Sequence, residues 1–141
     1  MALNGCLAGL VAITAGADTV TPMSSWIIGA VAGVLVVLAV FFFDRMRLDD
    51  PVGALSVHLV NGVWGTIAVG VFDYTGRFSV LTQLLGVVAY AIPCFLCASI
   101  IFLAIKKTIG LRVSEKEELR GLDLSEHGQE SYGGFQIFSN T

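Results

Sequence analysis

Apolar positions in this chain come in long unbroken runs, and polar residues gather at the breaks between them. The first run, about Leu3 to Ala17, is rich in small residues and ends at Asp18-Thr-Val-Thr-Pro22. A second covers Pro22 to Phe43, and its start predicts a helix, because Thr21 can cap the amides and Pro22 gives up no bond at the first helical position. A third, predicted over 51–72, opens on Asp50 as N-cap with Pro51 following and ends at the polar turn Asp73-Tyr-Thr-Gly-Arg77. The fourth, over 80–105, contains Pro93, where a kink is expected, and stops at Lys106-Lys107. A helix crosses the roughly 30 Å hydrocarbon core with about 20 apolar residues, its backbone bonded internally because lipid offers no partners. The expectation is an all-α, polytopic membrane helical bundle of about four crossings within residues 1–107, followed by a tail over 108–141.

Composition sharpens this reading. Of 141 residues 55% are hydrophobic and only 13% charged, about half the charged share of a soluble domain. Arg45 and Arg47 lie in the link after the second run, and Lys106, Lys107 and Arg112 lie in the tail, whereas Arg77 stands alone on the other side. Basic links stay in the cytoplasm, so the tail is expected inside. The net charge of −3 gives no general basic patch for nucleic acid. Three cysteines, all in apolar runs, do not make a secreted disulfide framework. Met1-Ala-Leu-Asn lacks the basic start of a signal peptide, and the chain is expected to open partway into a membrane helix.

The tail obeys different rules. Ser114-Glu-Lys-Glu117 has the spacing of a capping box, with acidic residues in the positive first turn, and predicts a short helix to Arg120 that stops at Gly121. Leucines and a valine recur through it, from Leu111 to Leu124, so it can dock on a surface. Residues 133–141 read as loosely ordered.

His58 is the residue with chemistry to offer. It lies about seven residues into the third run, roughly 10 Å along a helix axis. Asn61, Gly62 and Gly65 stand at i+3, i+4 and i+7 and Ala54 at i−4, giving a small or polar face suited to a narrow pore or to another helix. An ionisable residue at this depth is costly and is a functional candidate by default; the alternative is a histidine bonded between helices for packing. A neutral imidazole can donate and accept protons near neutral pH, which suits a relay. Gly5-x-x-x-Gly9 and Gly29-x-x-x-Gly33 are expected to mark helix contacts. Cys94-x-x-Cys97 has redox spacing but no basic neighbour to lower a thiol pKa, so small packing residues are the better account than a membrane thiol oxidoreductase. Trp26 and Trp64 read as interface or packing aromatics. No nucleotide loop, catalytic triad, metal set or cofactor motif is present, and no enzyme is expected.

Three separated segments carry a resemblance. Asn4-Gly-Cys-Leu-Ala-Gly-Leu-Val-Ala-Ile-Thr14, the run from Asp49-Asp-Pro through His58 to Trp64-Gly-Thr66, and the tail segments Gly110-Leu-Arg-Val-Ser114 and Gly121-Leu-Asp-Leu-Ser-Glu-His-Gly128 together resemble the ammonium transporter (Amt) family. The resemblance extends to about Tyr132. It implies the last four crossings of such a protein, a plasma-membrane location and a cytoplasmic tail, in agreement with the charge asymmetry. It matches His58 to the second of two pore histidines, Ala54 to a pore-wall position, and Asp50 to an acidic position at the start of the helix. The implied transport deprotonates ammonium outside and passes neutral ammonia through an apolar pore, because a bare cation there would forfeit its hydration. Potassium, with no proton to shed, would be rejected.

The resemblance also implies a homotrimer in membrane lipid, a tail packed beneath the neighbouring subunit, and in some members a PII-type signalling protein as partner. Gly121, Asp123, Ser125 and His127 fall in the matching tail run; a capped turn with solvated charges accounts for them equally well. Ser125 falls where some eukaryotic members carry a phosphorylated threonine, and a charge there would undock the tail. Departures are visible too: Leu59 replaces a glycine of some members, Gly53 replaces an aspartate, and the first pore histidine, the aromatic gate and the outer recruiting site have no counterpart. Four crossings cannot enclose a pore built between two pseudo-symmetric halves. The expectation is therefore a fragment or truncated product, either part of a transporter subunit or a non-conducting membrane modulator that joins intact subunits.

Overall fold

The computed structural model describes residues 1–131. The tail expectation over 133–141 lies outside them. Six helices succeed one another: α1 (Ala2–Thr14), α2 (Pro22–Arg45), α3 (Ala54–Phe72), α4 (Val80–Thr108), α5 (Glu115–Arg120) and α6 (Leu122–His127). The all-α membrane class is evident from them, with no strand among the described residues. α2, α3 and α4 are long and apolar enough to cross a bilayer. α1 has 13 residues, about 20 Å of rise; the sequence predicts three more at its C-terminal end, but residues 15–19 form turns. The chain divides into two compact units, Met1–Cys94 and Phe95–Thr141.

In the first unit, α1, α2 and α3 meet along stripes with a spacing of four. Ala8 and Ala12 on α1, and Ile28, Ala32 and Val36 on α2, are buried against Val57 and Ala68 of α3. Positions four apart share a helix face, and alanines on that face let the backbones come close, which is how helices gain contact where water is not driving them together. The closest approach is at Gly65, where any β-carbon would collide with the Ala12 carbonyl. Trp64 adds a directional tie, its indole N–H donating to the Ile28 carbonyl at 3.1 Å. Trp64 is thus a packing aromatic as expected, whereas Trp26 is 79% exposed.

The four glycines at 5, 9, 29 and 33 do not mark contacts among the described residues: each faces open space. The packed stripes run one residue round the helices from them, through Ala8 and Ala12 and through Ile28 and Ala32. A small-residue motif names a face that can be approached, and here the bulkier neighbouring face packs instead.

Local chemistry sets the links. Thr21 Oγ1 accepts from the Ser24 amide at 3.2 Å with Pro22 behind it, as the sequence requires. After α3, Asp73 gathers the next turn, accepting from the amides of Thr75, Arg77 and Phe78 at 2.7–2.8 Å. The Tyr74 N–H reaches across to the Thr19 carbonyl at 3.2 Å, so the α1–α2 and α3–α4 links lie at the same end of the bundle. Arg77 approaches Asp18 at 3.8 Å, but both side chains are exposed, and such a pair contributes little. α4 continues through Pro93 to Thr108, a little beyond the predicted end, and buries none of its residues.

In the second unit, α5 begins with the predicted capping box: Ser114 Oγ accepts from the Glu117 amide while Glu117 Oε2 accepts from the Ser114 amide at 2.9 Å. Arg112 pairs with Glu118 at 2.7 Å on the surface. α5 ends at Gly121, whose φ of 91° no ordinary side chain adopts easily. A capped turn is one account the sequence offers for the residues after it, whereas Leu122–His127 forms a further helix closed by Gly128 at φ 66°. Two glycines spaced seven apart mark both its limits.

Candidate functional site

The segment from Asp50 to Asn61 departs from regular helix geometry, and its departures are all local consequences of sequence. Asp50 and Pro51 have the form of a start to α3. Instead the chain turns first, with the Gly53 amide bonded to the Asp50 carbonyl at 3.3 Å, and the helix starts at Ala54. Gly53 is the reason. It lies at φ 72°, ψ 29°, a left-handed conformation that terminates or precedes a helix but does not continue one. A β-carbon at 53 would also stand 2.7 Å from Val57 Cγ2.

Asp50 still serves the helix from a distance. Its oxygens accept from the Leu55 amide at 3.0 Å, the Ser56 amide at 2.8 Å and the Ser56 hydroxyl at 2.7 Å. A carboxylate here meets the positive end of the helix and its unpaired amides. Desolvation pushes the Asp50 carboxyl up, but the bonds from Leu55 and Ser56 and the Ala54 amide outweigh it, so its pKa lies below the ordinary 3.8.

The first turn, Ala54–Leu59, is wider than an α-helix. The His58 N–H reaches five residues back to the Gly53 carbonyl at 3.0 Å, and the Val60 N–H reaches Leu55 in the same way. Wide turns of this kind are rare and concentrate at functional sites. Asn61 supports this one by donating Nδ2 to the Ser56 carbonyl at 3.0 Å. Asn61 is fully buried, and its Oδ1 finds no partner among the described residues, a loss of about 1–3 kcal/mol for an unsatisfied buried acceptor.

The wide turn changes which residues share a face. By α-helical counting Ala54, His58, Asn61, Gly62 and Gly65 form one stripe. In the structure His58 and Ala54 are exposed, together with Leu59, while Asn61 and Gly65 are buried, Gly65 against Ala12 of α1, and Gly62 is half-buried. The extra residue in the turn rotates the residues before Val60 against those after it. The side chains thus divide into an open group around His58 and a packed group around Asn61. Ser56 and Gly53 are not among the sequence-predicted site residues; their signal is a hydroxyl six residues after Asp50 and a glycine two residues after Pro51.

Among the described residues no cluster of three histidines, cysteines or acids could hold a metal ion. Cys6, Cys94 and Cys97 are free and exposed. In the tail, Gly121 forms the α5–α6 corner, Asp123 accepts from the Leu124 amide at 3.0 Å and the Ser131 amide at 3.1 Å, and Ser125 and His127 lie exposed on α6.

Apolar helices of spanning length, one of them carrying an open histidine at a wide turn, define a multi-pass membrane protein. Comparison with known proteins narrows the class. The model of the Ammonium Transporter Family matches residues 1–132, and the chain belongs to that family. It is 44% identical over 131 residues to a Synechocystis sp. protein named for ammonium transport, covering 93% of this chain and 30% of that one. It is 37% identical to ammonium transporter Amt2 of Archaeoglobus fulgidus, covering 96% of this chain and 33% of that one. With the ammonium transporter of Bacillus subtilis it shares 34% identity, over 93% of this chain and 36% of the relative. The chain thus spans about a third of the length of these relatives.

Proposed function

We propose that this chain supplies one wall of an ammonium-conducting pore, with His58 lining the path and Ala54 beside it. The observation that carries the reading is that His58 lies within a spanning helix and yet is exposed, with no bond from its ring among the described residues. A histidine kept for packing between these helices would be covered by them. Its imidazole is free to bond a neutral amine and to pass a proton, while the apolar surroundings hold back a hydrated cation.

Family membership and the names of the relatives support ammonium as the substrate and transport, rather than catalysis, as the activity. The remaining wall, with its partner histidine, would come from crossings such as those that make up the other two thirds of the relatives. The excess of Arg and Lys at Arg45, Arg47, Lys106 and Lys107 supports a cytoplasmic tail at the plasma membrane. The tail corner at Gly121, with Asp123, Ser125 and His127 on α6, is the proposed surface for a neighbouring subunit of a homotrimer or a PII-type protein. The uncovered apolar surface of α4 favours a second reading, a membrane modulator that joins intact subunits without conducting.

The test is uptake in cells lacking ammonium transport. A hybrid carrying residues 1–131 in place of the matching third of the Bacillus subtilis transporter should restore uptake, and His58→Ala should lower it at least tenfold at equal membrane abundance. Unchanged uptake by His58→Ala would sink the pore reading. Inhibition of a coexpressed intact transporter by this chain alone would favour the modulator.

A further inference from the structure

The wide turn that carries His58 is held at both ends by polar side chains that no packing requirement explains. Asn61 is the clearer case. It is completely buried, and a leucine of similar size in its place would bury more hydrocarbon and leave no acceptor unpaired. Among the described residues its side chain makes one bond, from Nδ2 to the Ser56 carbonyl, inside the turn. The amide therefore does a single thing: it holds a carbonyl of the widened ladder, at the expense of its own orphaned Oδ1. At the other end Asp50 grips the Leu55 and Ser56 amides. His58 lies between the two grips, and its own N–H closes the wide ring onto Gly53.

We infer that Asn61 is a positioning residue for His58, acting through the Ser56 carbonyl to keep the turn wide and the imidazole on the open side. The inference rests on the pore reading of His58 for its functional consequence, though not for its structural one. Without the Asn61 bond the turn relaxes toward ordinary α-helical pairing, the His58 N–H exchanges Gly53 for Ala54, and the ring rotates toward the packed face. Asp50 holds the same turn from the other side and gives an independent handle.

The chain contains only two histidines, which makes the test direct. Labelling histidine alone with nitrogen-15 in the full chain, in lipid nanodiscs, gives two backbone amide signals, and His127→Gln assigns them. In Asn61→Leu the His58 amide signal should shift as its bond passes from Gly53 to Ala54, with His127 unmoved and helix content retained. If Asn61→Leu does not insert, Asn61→Ala removes the same bond and provides the same readout; an unmoved His58 amide in whichever variant inserts overturns the inference. In the hybrid transporter, Asn61→Leu should lower the maximal rate per molecule at least tenfold with half-saturation within twofold, whereas uptake within twofold of the parent would remove the positioning role. Failure of the pore reading looks different: His58→Ala is then silent in uptake while the amide shift in Asn61→Leu persists.

Discussion

The Ser56 hydroxyl donates to Asp50 Oδ2 at 2.7 Å, and the Ser56 amide donates to the same oxygen at 2.8 Å. One serine thus bonds a single carboxylate oxygen twice, across a turn of six residues. Ser56→Ala should remove one of these bonds and lower stability by about 1 kcal/mol, less if water takes the place of the hydroxyl at the carboxylate. Thermal unfolding of the chain in nanodiscs measures it. The sign with pH comes from the depressed Asp50 pKa: the contribution is full above the ordinary value of 3.8 and is lost as pH falls through the lowered one. Ser56→Ala should therefore flatten the loss of stability on acidification below 3.8.

Trp64 ties α3 to α2 through a bond and through area. Trp64→Phe keeps most of the area and loses the bond to the Ile28 carbonyl, for about 1 kcal/mol. Trp64→Ala should cost about 3–5 kcal/mol. Equal losses for the two variants in the same unfolding measurement would show that the bond, and not the packing, carries the contact.

Gly65→Ala places a methyl group against the Ala12 carbonyl. Backbone cannot yield as a flexible side chain does, so α1 and α3 must part, for about 1–3 kcal/mol. A pair of spin labels on α1 and α3 should report a longer separation. Gly33→Ala, on an open face of α2, should leave the same distance unchanged.

Asp73 organises the α3–α4 link. Bonding from the Thr75 hydroxyl, helped by the amides of Phe78, Thr75 and Arg77 and opposed by desolvation, lowers its carboxyl from 3.8 to about 2. The depressed value means that the link's stabilisation is complete above 3.8 and disappears as pH falls toward about 2. Hydrogen exchange at the Thr75, Arg77 and Phe78 amides, relative to a control such as Val69, should accelerate across that window and not above it. Asp73→Asn should show the fast rates at neutral pH.

Much of the fold could be read from the chain because lipid leaves few alternatives. Unbroken apolar runs have to be helices, and the caps at Thr21 and Ser114 stand where side-chain oxygens can reach free amides. The first turn of α3 could not be read in the same way. Asp50-Pro51 has the form of a standard helix start, and only the left-handed Gly53 makes the chain turn once more and begin wide. Counting at a fixed period then puts Asn61 and Gly65 beside His58, because a periodic pattern assumes a constant rotation per residue and a wide turn breaks that constancy. The glycine motifs on α1 and α2 show a second limit, since sequence names surfaces that permit contact and leaves open which of them is used. α6 escapes the pattern for a third reason: six residues are too few for a period, and only the glycines at its borders announce it.

The bond from Tyr74 to the Thr19 carbonyl joins two corners of the chain that lie more than fifty residues apart in sequence. Together with the Trp64 tie to α2, it means that continuity of the polypeptide through the Met46–Asp49 loop is not what keeps α1 and α2 beside α3. Severed there and produced as two coexpressed pieces, the chain should reassemble, so that a cut in this loop offers a site for inserting a reporter without dismantling the bundle.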